Sequence, residues 1–198
     1  MNLGFTFIYF SKTYTQVTIS SNGYVCLGEN INCGNLTRTS PFDILIGLNG
    51  DLDTINGQIN FQNVNEISSK FTAPTYVHLL NFAFVPTNIF LITYDSVLPN
   101  SKSFNTGVSF QIFLATDSVN SYVTFKYTSC PSDLNSYSSS GLKYNNGGKS
   151  EELFINNNQQ CNSSNVRQTG VWVKDVTSCS LGKNKVSIII YKLISFHF

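Results

Sequence analysis

From Tyr14 to Ile19 side chains alternate: Thr15, Val17 and Ile19 share one strand face, and Tyr14, Gln16 and Thr18 share the other. β-Branched residues at period two mark a half-buried strand. Ser20-Ser21-Asn22-Gly23 then supplies turn residues, with Asn-Gly suited to the positive φ of a tight hairpin. Tyr24 to Leu27 resumes the alternation, with Val25 and Leu27 on one face. Pro41 to Ile46 is apolar on both faces around Leu45, the pattern of a buried strand, and runs into the glycine-rich GLNGDLDT of residues 47–54. Gln58 to Phe61 follows as another strand, and Phe5 to Phe10 reads as an edge or early strand.

Further along, Asn88 to Val97 is apolar on both faces and predicts a central strand. Val108, Phe110, Ile112 and Leu114 alternate with Ser109, Gln111, Phe113 and Ala115, and Val123, Phe125 and Tyr127 alternate with Thr124 and Lys126. Thr116 to Ser121 is a turn by composition, and Val171 to Val176 closes the pattern with the only tryptophan, Trp172. Helical spacing occurs over 73–81, where Thr72 is placed to cap, Pro74 lies in the first turn, and Val77 and Leu80 lead on to Phe84. Ser129 to Ser150 and Asn156 to Asn165 are rich in Ser, Asn, Gly and Gln and read as long surface loops. The expected fold is mostly β: an antiparallel β-sandwich with one short helix and long polar loops.

Composition narrows the class. The 198 residues suffice for one domain with a sizeable core. Charged residues make up only 12%, about half the usual share, so Ser, Thr, Asn and Gln must cover much of the surface. Such a balance suits an extracellular β-protein better than a cytosolic enzyme. The net charge is +1 and there is no basic run, which argues against nucleic acid as a partner. No segment reaches transmembrane length; Val186 to Phe198 is apolar but short and interrupted by Lys192.

Five cysteines, none in a C-x-x-C pair, and two histidines disfavour zinc and favour disulfides. Cys26 and Cys33 bracket a short loop beside the hairpin, and Cys130 and Cys161 bracket a polar insertion; these are the expected pairs, although spacing alone does not fix connectivity, and Cys179 is left over. Sequons stand at Asn35-Leu36-Thr37 and Asn162-Ser163-Ser164, each beside a cysteine. No signal peptide opens the chain, so the secretory reading carries the expectation that the sequence is a fragment or an incomplete gene product.

Taken in order, several of these stretches resemble the nidogen-like (NIDO) extracellular domain. They are Ser20-Ser21-Asn22-Gly23-Tyr24, Pro41-Phe42, and Asp51-Leu52-Asp53-Thr54 with Gly57. Phe84-Val85-Pro86-Thr87 leading into the strand through Thr93-Tyr94-Asp95-Ser96-Val97, and Phe110-Gln111-Ile112-Phe113-Leu114-Ala115-Thr116-Asp117, are similar to two later family strands. Ser164-Asn165-Val166 and Gly170-Val171-Trp172-Val173 resemble the closing segments. The resemblance runs over about residues 3–176, the expected domain, with 177–198 as a tail that is truncated or unlike a domain end. The chain departs from the family at Tyr94, where Trp is frequent, and at the glycine-rich Gly47-Leu48-Asn49-Gly50. What the resemblance implies is a secreted or ectodomain module of cell–matrix adhesion that binds extracellular matrix or cell-surface proteins. A purely structural, oligomerising role in a matrix polymer is the alternative, with or without calcium.

Candidate chemistry is sparse. Asp51 and Asp53, completed by Asp43 or Asp95, are the candidate oxygen ligands for calcium; the competing reading is a turn whose carboxylates cap backbone donors. No other cofactor is expected. A glycosidase pair would need two carboxylates facing across a sugar ring, for which neighbours in one turn are poorly placed. There is no G-x-S-x-G elbow, and His78 is the one histidine inside the family-like region, so no catalytic residue is assigned. Gly147-Gly148-Lys149-Ser150 lacks the first glycine and preceding strand of a phosphate loop. Most of the 16 Phe belong to a core, whereas Tyr14, Tyr24, Tyr122 and Tyr137 are the aromatics expected at the surface.

Overall fold

The computed structural model describes residues 1–29, 33, 42–54, 56–64, 83–99, 106–130, 140–146, 149–155 and 160–178. The helix expected over 73–81, and with it His78, lies outside these residues, as do Asn35, Tyr137 and Cys179.

Among the described residues twelve strands form two antiparallel sheets: β1 (Asn2–Tyr9), β2 (Lys12–Ile19), β3 (Tyr24–Leu27), β4 (Asp43–Ile46), β5 (Leu52–Asp53), β6 (Gln58–Val64), β7 (Asn88–Pro99), β8 (Val108–Thr116), β9 (Ser121–Ser129), β10 (Ser140–Asn146), β11 (Lys149–Ile155) and β12 (Val171–Asp175). The first sheet runs β1-β2-β3-β4-β10-β11. The second runs β12-β9-β8-β7, with both β5 and β6 paired along the remaining side of β7. The result is a β-sandwich.

Period-two patterning explains which face each strand buries. Val25 and Leu27 of β3, Leu45 of β4, Phe90, Ile92 and Tyr94 of β7, Val108 to Leu114 at alternate positions of β8, and Val123, Phe125 and Tyr127 of β9 fill the space between the sheets. Each fully buried Phe, Leu or Ile contributes about 1.5–3 kcal/mol relative to exposure. The opposite face of the second sheet carries its own cluster, Ile89, Leu91, Phe113, Ala115, Tyr122, Val171 and Val173, packed against Phe84 and Val166 from the connecting segments. The edge strand β1 ties the layers together by crossing the second sheet. Asn63 Nδ2 of β6 donates to Leu3 O, Ile8 N donates to Ser121 Oγ at 3.1 Å, and Phe10 N donates to Val176 O at 2.6 Å.

Two expectations are corrected. The stretch 129–150 is not all surface loop, since Ser140 to Asn146 is an internal strand lying between β4 and β11. Ser140, Leu142 and Tyr144 share a face and are buried, and the polar Ser140 is tolerated there because its hydroxyl donates to Gly47 O at 2.6 Å. Tyr24 and Tyr122 are not surface residues. Tyr24 lies in β3 with its hydroxyl donating to Cys33 O, and Tyr122 packs edge-on against Phe84. Tyr14 is half-buried.

Buried phenols join the sheets. Tyr94 of the second sheet donates to Ser20 O of the first at 2.7 Å, and Tyr127 donates to Gly47 O at 2.6 Å. Burial raises both phenols above the ordinary tyrosine value of 10.0; beyond burial, the charge on Tyr24 raises Tyr94 further, while the Ser140 hydrogen bond opposes the rise at Tyr127. Tyr9 is raised well above that value as well, by burial first and then by the Asp43 charge. An unfolded phenol releases its proton near 10 while the folded one keeps it, so folding is favoured fully below pH 10 and progressively less as pH climbs through the raised folded values. Phenolate absorbance of these tyrosines should therefore appear together with loss of near-ultraviolet circular dichroism above pH 10. A gradual titration of all tyrosines with the fold intact would contradict the arrangement.

Candidate interaction surface

The turn after β2 and the segment after β4 dock on one another. Gly23 adopts φ +85°, open to glycine, and a side chain there would run into the Leu48 carbonyl and Leu52. Gly23 O accepts from Gly47 N at 3.1 Å and Leu48 N at 3.0 Å, and Asn22 O accepts from Gly50 N at 3.3 Å. Leu48 and Leu52 are thereby sunk into the core while Asp51 is exposed and Asp53 half-buried. In the Asp51-Leu52-Asp53-Thr54 motif, the leucine is thus the anchor.

Three of the four calcium candidates lie on three different strands. Asp43 lies in β4 of the first sheet, Asp53 pairs with Leu98 at one end of β7, and Asp95 sits opposite Gln58. Asp95 accepts from the hydroxyls of Ser96 and Ser109 beside a bulge where Ser96 has φ +54°. Among the described residues no group of three or more His, Cys, Asp or Glu is placed to hold a metal ion.

Asp43 has a different occupation. Its side chain is 1% exposed, its Oδ2 takes Lys12 Nζ at 3.0 Å and the Tyr14 hydroxyl, and its Oδ1 takes Asn145 N at 2.5 Å. Lys12 Nζ also donates to Asn145 O. One carboxylate therefore holds β2 and β10 across β4, and a cation there would have to displace three donors. Burial, then the hydrogen bond to Asp43, raises the Tyr14 phenol. At the far end of β8, Asp117 is used as a turn former: Val119 N and Asn120 N donate to Oδ1, and the Asn120 amide donates to Oδ2. Burial pushes its carboxyl up, but these bonds outweigh it and hold it below the ordinary value.

Cys26 is bonded to Cys33 and Cys130 to Cys161, with Cα atoms 6.1 and 6.3 Å apart. The second bond fastens the end of β9 to the segment 160–170, which runs along β12. In that segment Gln160 O accepts from Trp172 Nε1 at 3.0 Å, and the Asn165 side chain both accepts from Val173 N and donates to Val173 O. The outer edge of β12 is thus capped by a side-chain amide. Asn162, the second sequon, is exposed in the turn beside Cys161.

The opposite edge of the second sheet is different. β6 pairs with β7 from Gln58↔Asp95 to Val64↔Ile89. Five of its seven residues are exposed, Ile59 and Val64 being half-buried, and Phe61 is 53% exposed although its ring rests on Phe90 at 6.1 Å between centroids. Beside it a shallow cavity of about 230 Å³ is lined by Asn60, Phe61, Gln62, Leu91 and Thr93. Sequence patterning predicts strand here but gives no sign that its aromatic stays at the surface.

A family model described as NIDO related matches residues 1–65, about a third of the chain, spanning β1 to β6 and supporting the nidogen-like resemblance. No curated protein and no solved structure matches the chain. The match and the two disulfides are compatible with an extracellular domain. Among the described residues no helix is long and apolar enough to cross a membrane.

Removing the Asp43 carboxylate strands three donors, so Asp43→Ala should cost about 3 kcal/mol, the lower end for a buried pair because Lys12 is half exposed. Lys12→Ala should cost about 1 kcal/mol or less. Urea unfolding of both variants checks the order; equal losses would mean that the lysine, and not the three-donor carboxylate, sets the energetics.

Proposed function

We propose that the chain is an extracellular, non-catalytic interaction module of cell–matrix adhesion that binds matrix or cell-surface proteins through loops displayed on the disulfide-braced sandwich. The observation that carries this reading is the NIDO-related match over residues 1–65. Three further features support it. Two disulfides favour an oxidising compartment, the exposed Asn162 offers a glycosylation acceptor, and the low charge content leaves a surface of Ser, Thr, Asn and Gln. The module needs no cofactor for such recognition. The folded, glycosylated domain should bind immobilised matrix preparations saturably, in assays run with calcium and with a chelator. Absence of binding to every preparation under both conditions would remove the adhesion reading.

A structural role in a matrix polymer is the second reading. Four of the five cysteines pair among themselves, which leaves Cys179 with no cysteine partner in this chain. Under that reading a non-reducing gel shows a dimer that Cys179→Ser abolishes; a monomer band from the unsubstituted chain removes the motive for it.

A further inference from the structure

We propose that β6 is a homotypic docking edge, pairing antiparallel with β6 of a second copy of this chain about a two-fold axis through Phe61. The inference goes beyond matrix binding and does not rest on it.

An edge strand presents a row of main-chain donors and acceptors, and folded proteins usually blunt such rows. Here the β12 edge is blunted by the Asn165 amide on Val173. β6 has no such device. Among the described residues its main chain makes no hydrogen bond beyond those to β7, and residues 58–64 contain no charge and no proline. A row of this kind is complementary to another polypeptide strand.

The side chains favour a copy of the same strand. A two-fold axis through Phe61 sets Phe61 against Phe61, Asn60 against Gln62, Ile59 against Asn63 and Gln58 against Val64. No pair opposes like charges, and the amide pair Asn60–Gln62 can exchange hydrogen bonds. Phe61 sits opposite Ile92 in the register, on the core-facing side of the sheet, with its ring on Phe90, yet remains half exposed. A second Phe61 would cover it. On the other face, Asn60 and Gln62 border the cavity with Leu91 and Thr93, which gives the incoming amides a recess. One seven-residue strand pair buries less than the roughly 1,200–2,000 Å² of a stable interface. The pairing is therefore weak between free chains and becomes effective when several copies are held close together.

The experiment uses the full folded chain carrying Cys179→Ser, so that covalent linkage through that residue is removed. Sedimentation over a concentration series should show the average mass rising above 22.0 kDa towards the dimer. Phe61→Lys should weaken association by about tenfold or more, because it replaces an aromatic pair with opposed like charges, while the monomer stays folded and its thermal unfolding falls only by the loss of a half-covered ring on Phe90. Register is read by mild oxidation of two cysteine variants. Phe61→Cys places the thiols face to face and should cross-link at least about tenfold faster than Gln58→Cys, whose thiols would lie about 20 Å apart. A monomer at all concentrations, association indifferent to Phe61→Lys, or equal cross-linking at the two positions would overturn the proposal. None of these outcomes touches matrix binding, which is measured on the immobilised partner.

Discussion

Among the polar bonds that stitch the two sheets, the backbone carbonyl of Gly47 collects two. It accepts from the Tyr127 hydroxyl of the second sheet and from the Ser140 hydroxyl of β10, both at 2.6 Å. Ser140 in turn accepts from the Gln160 amide, and Gln160 O receives the Trp172 indole of β12. The chain of bonds thus runs from β4 through β10 to β12, and the Cys130–Cys161 bond fixes the backbone next to Gln160. The interior around it excludes water, so each of these groups would be costly to leave unpaired. A side chain at position 47 would strike the Phe110 ring, which keeps the carbonyl at the depth where both hydroxyls reach it.

The same constraint explains why residues 20–27 and 43–54 behave as a unit. Gly23 and Gly47 let two loops approach at backbone distance, and Leu48 and Leu52 then fall into the core. Asp43, at the start of β4, closes the other end by gathering Lys12, Tyr14 and Asn145 N. β4 is therefore held at one end by a carboxylate that collects donors and at the other by a carbonyl that collects hydroxyls. Its four residues are all buried, and they supply little side-chain freedom for a ligand. Asp43, which looks like a ligand in the sequence, serves here as an internal fastener, and Asp95 receives two serine hydroxyls.

Much of this was legible in the sequence, and the exceptions have physical causes. β2, β3, β8 and β9 alternate cleanly because one face is core and the other is not, and β7 reads as central because both faces are covered. The bonded cysteines bracket local loops, which makes their pairing a short-range question. β10 was hidden because Ser140, Lys143 and Asn145 look like loop residues; Ser140 is stable inside only through a carbonyl 93 residues away. Tyr24 and Tyr122 were misplaced because a phenol suits either surface or core, and the choice is made by a distant partner, Cys33 O in one case and Phe84 in the other. Asn165 belongs to a segment that resembles a family motif, but its task, satisfying both polar groups of Val173, is visible only once β12 is an edge.

How an edge is finished decides what a β-sandwich can do with its surroundings. Charge is the usual guard against unwanted pairing, and this chain has little of it to spend. On the β12 side, geometry stands in for charge: a disulfide-anchored segment lays an amide against the exposed rung. On the β6 side the strand runs as QINFQNV, neutral throughout, with an aromatic ring half out of the core. Such a strand is a poor neighbour for a protein that must stay monomeric in a crowded reducing cytosol. It is a workable contact for a module fixed at spaced positions in a larger assembly, where each pairing can be weak because the copies cannot diffuse apart. The two edges are thus finished differently, and the neutral one is the strand that closes the region matched by the NIDO-related family.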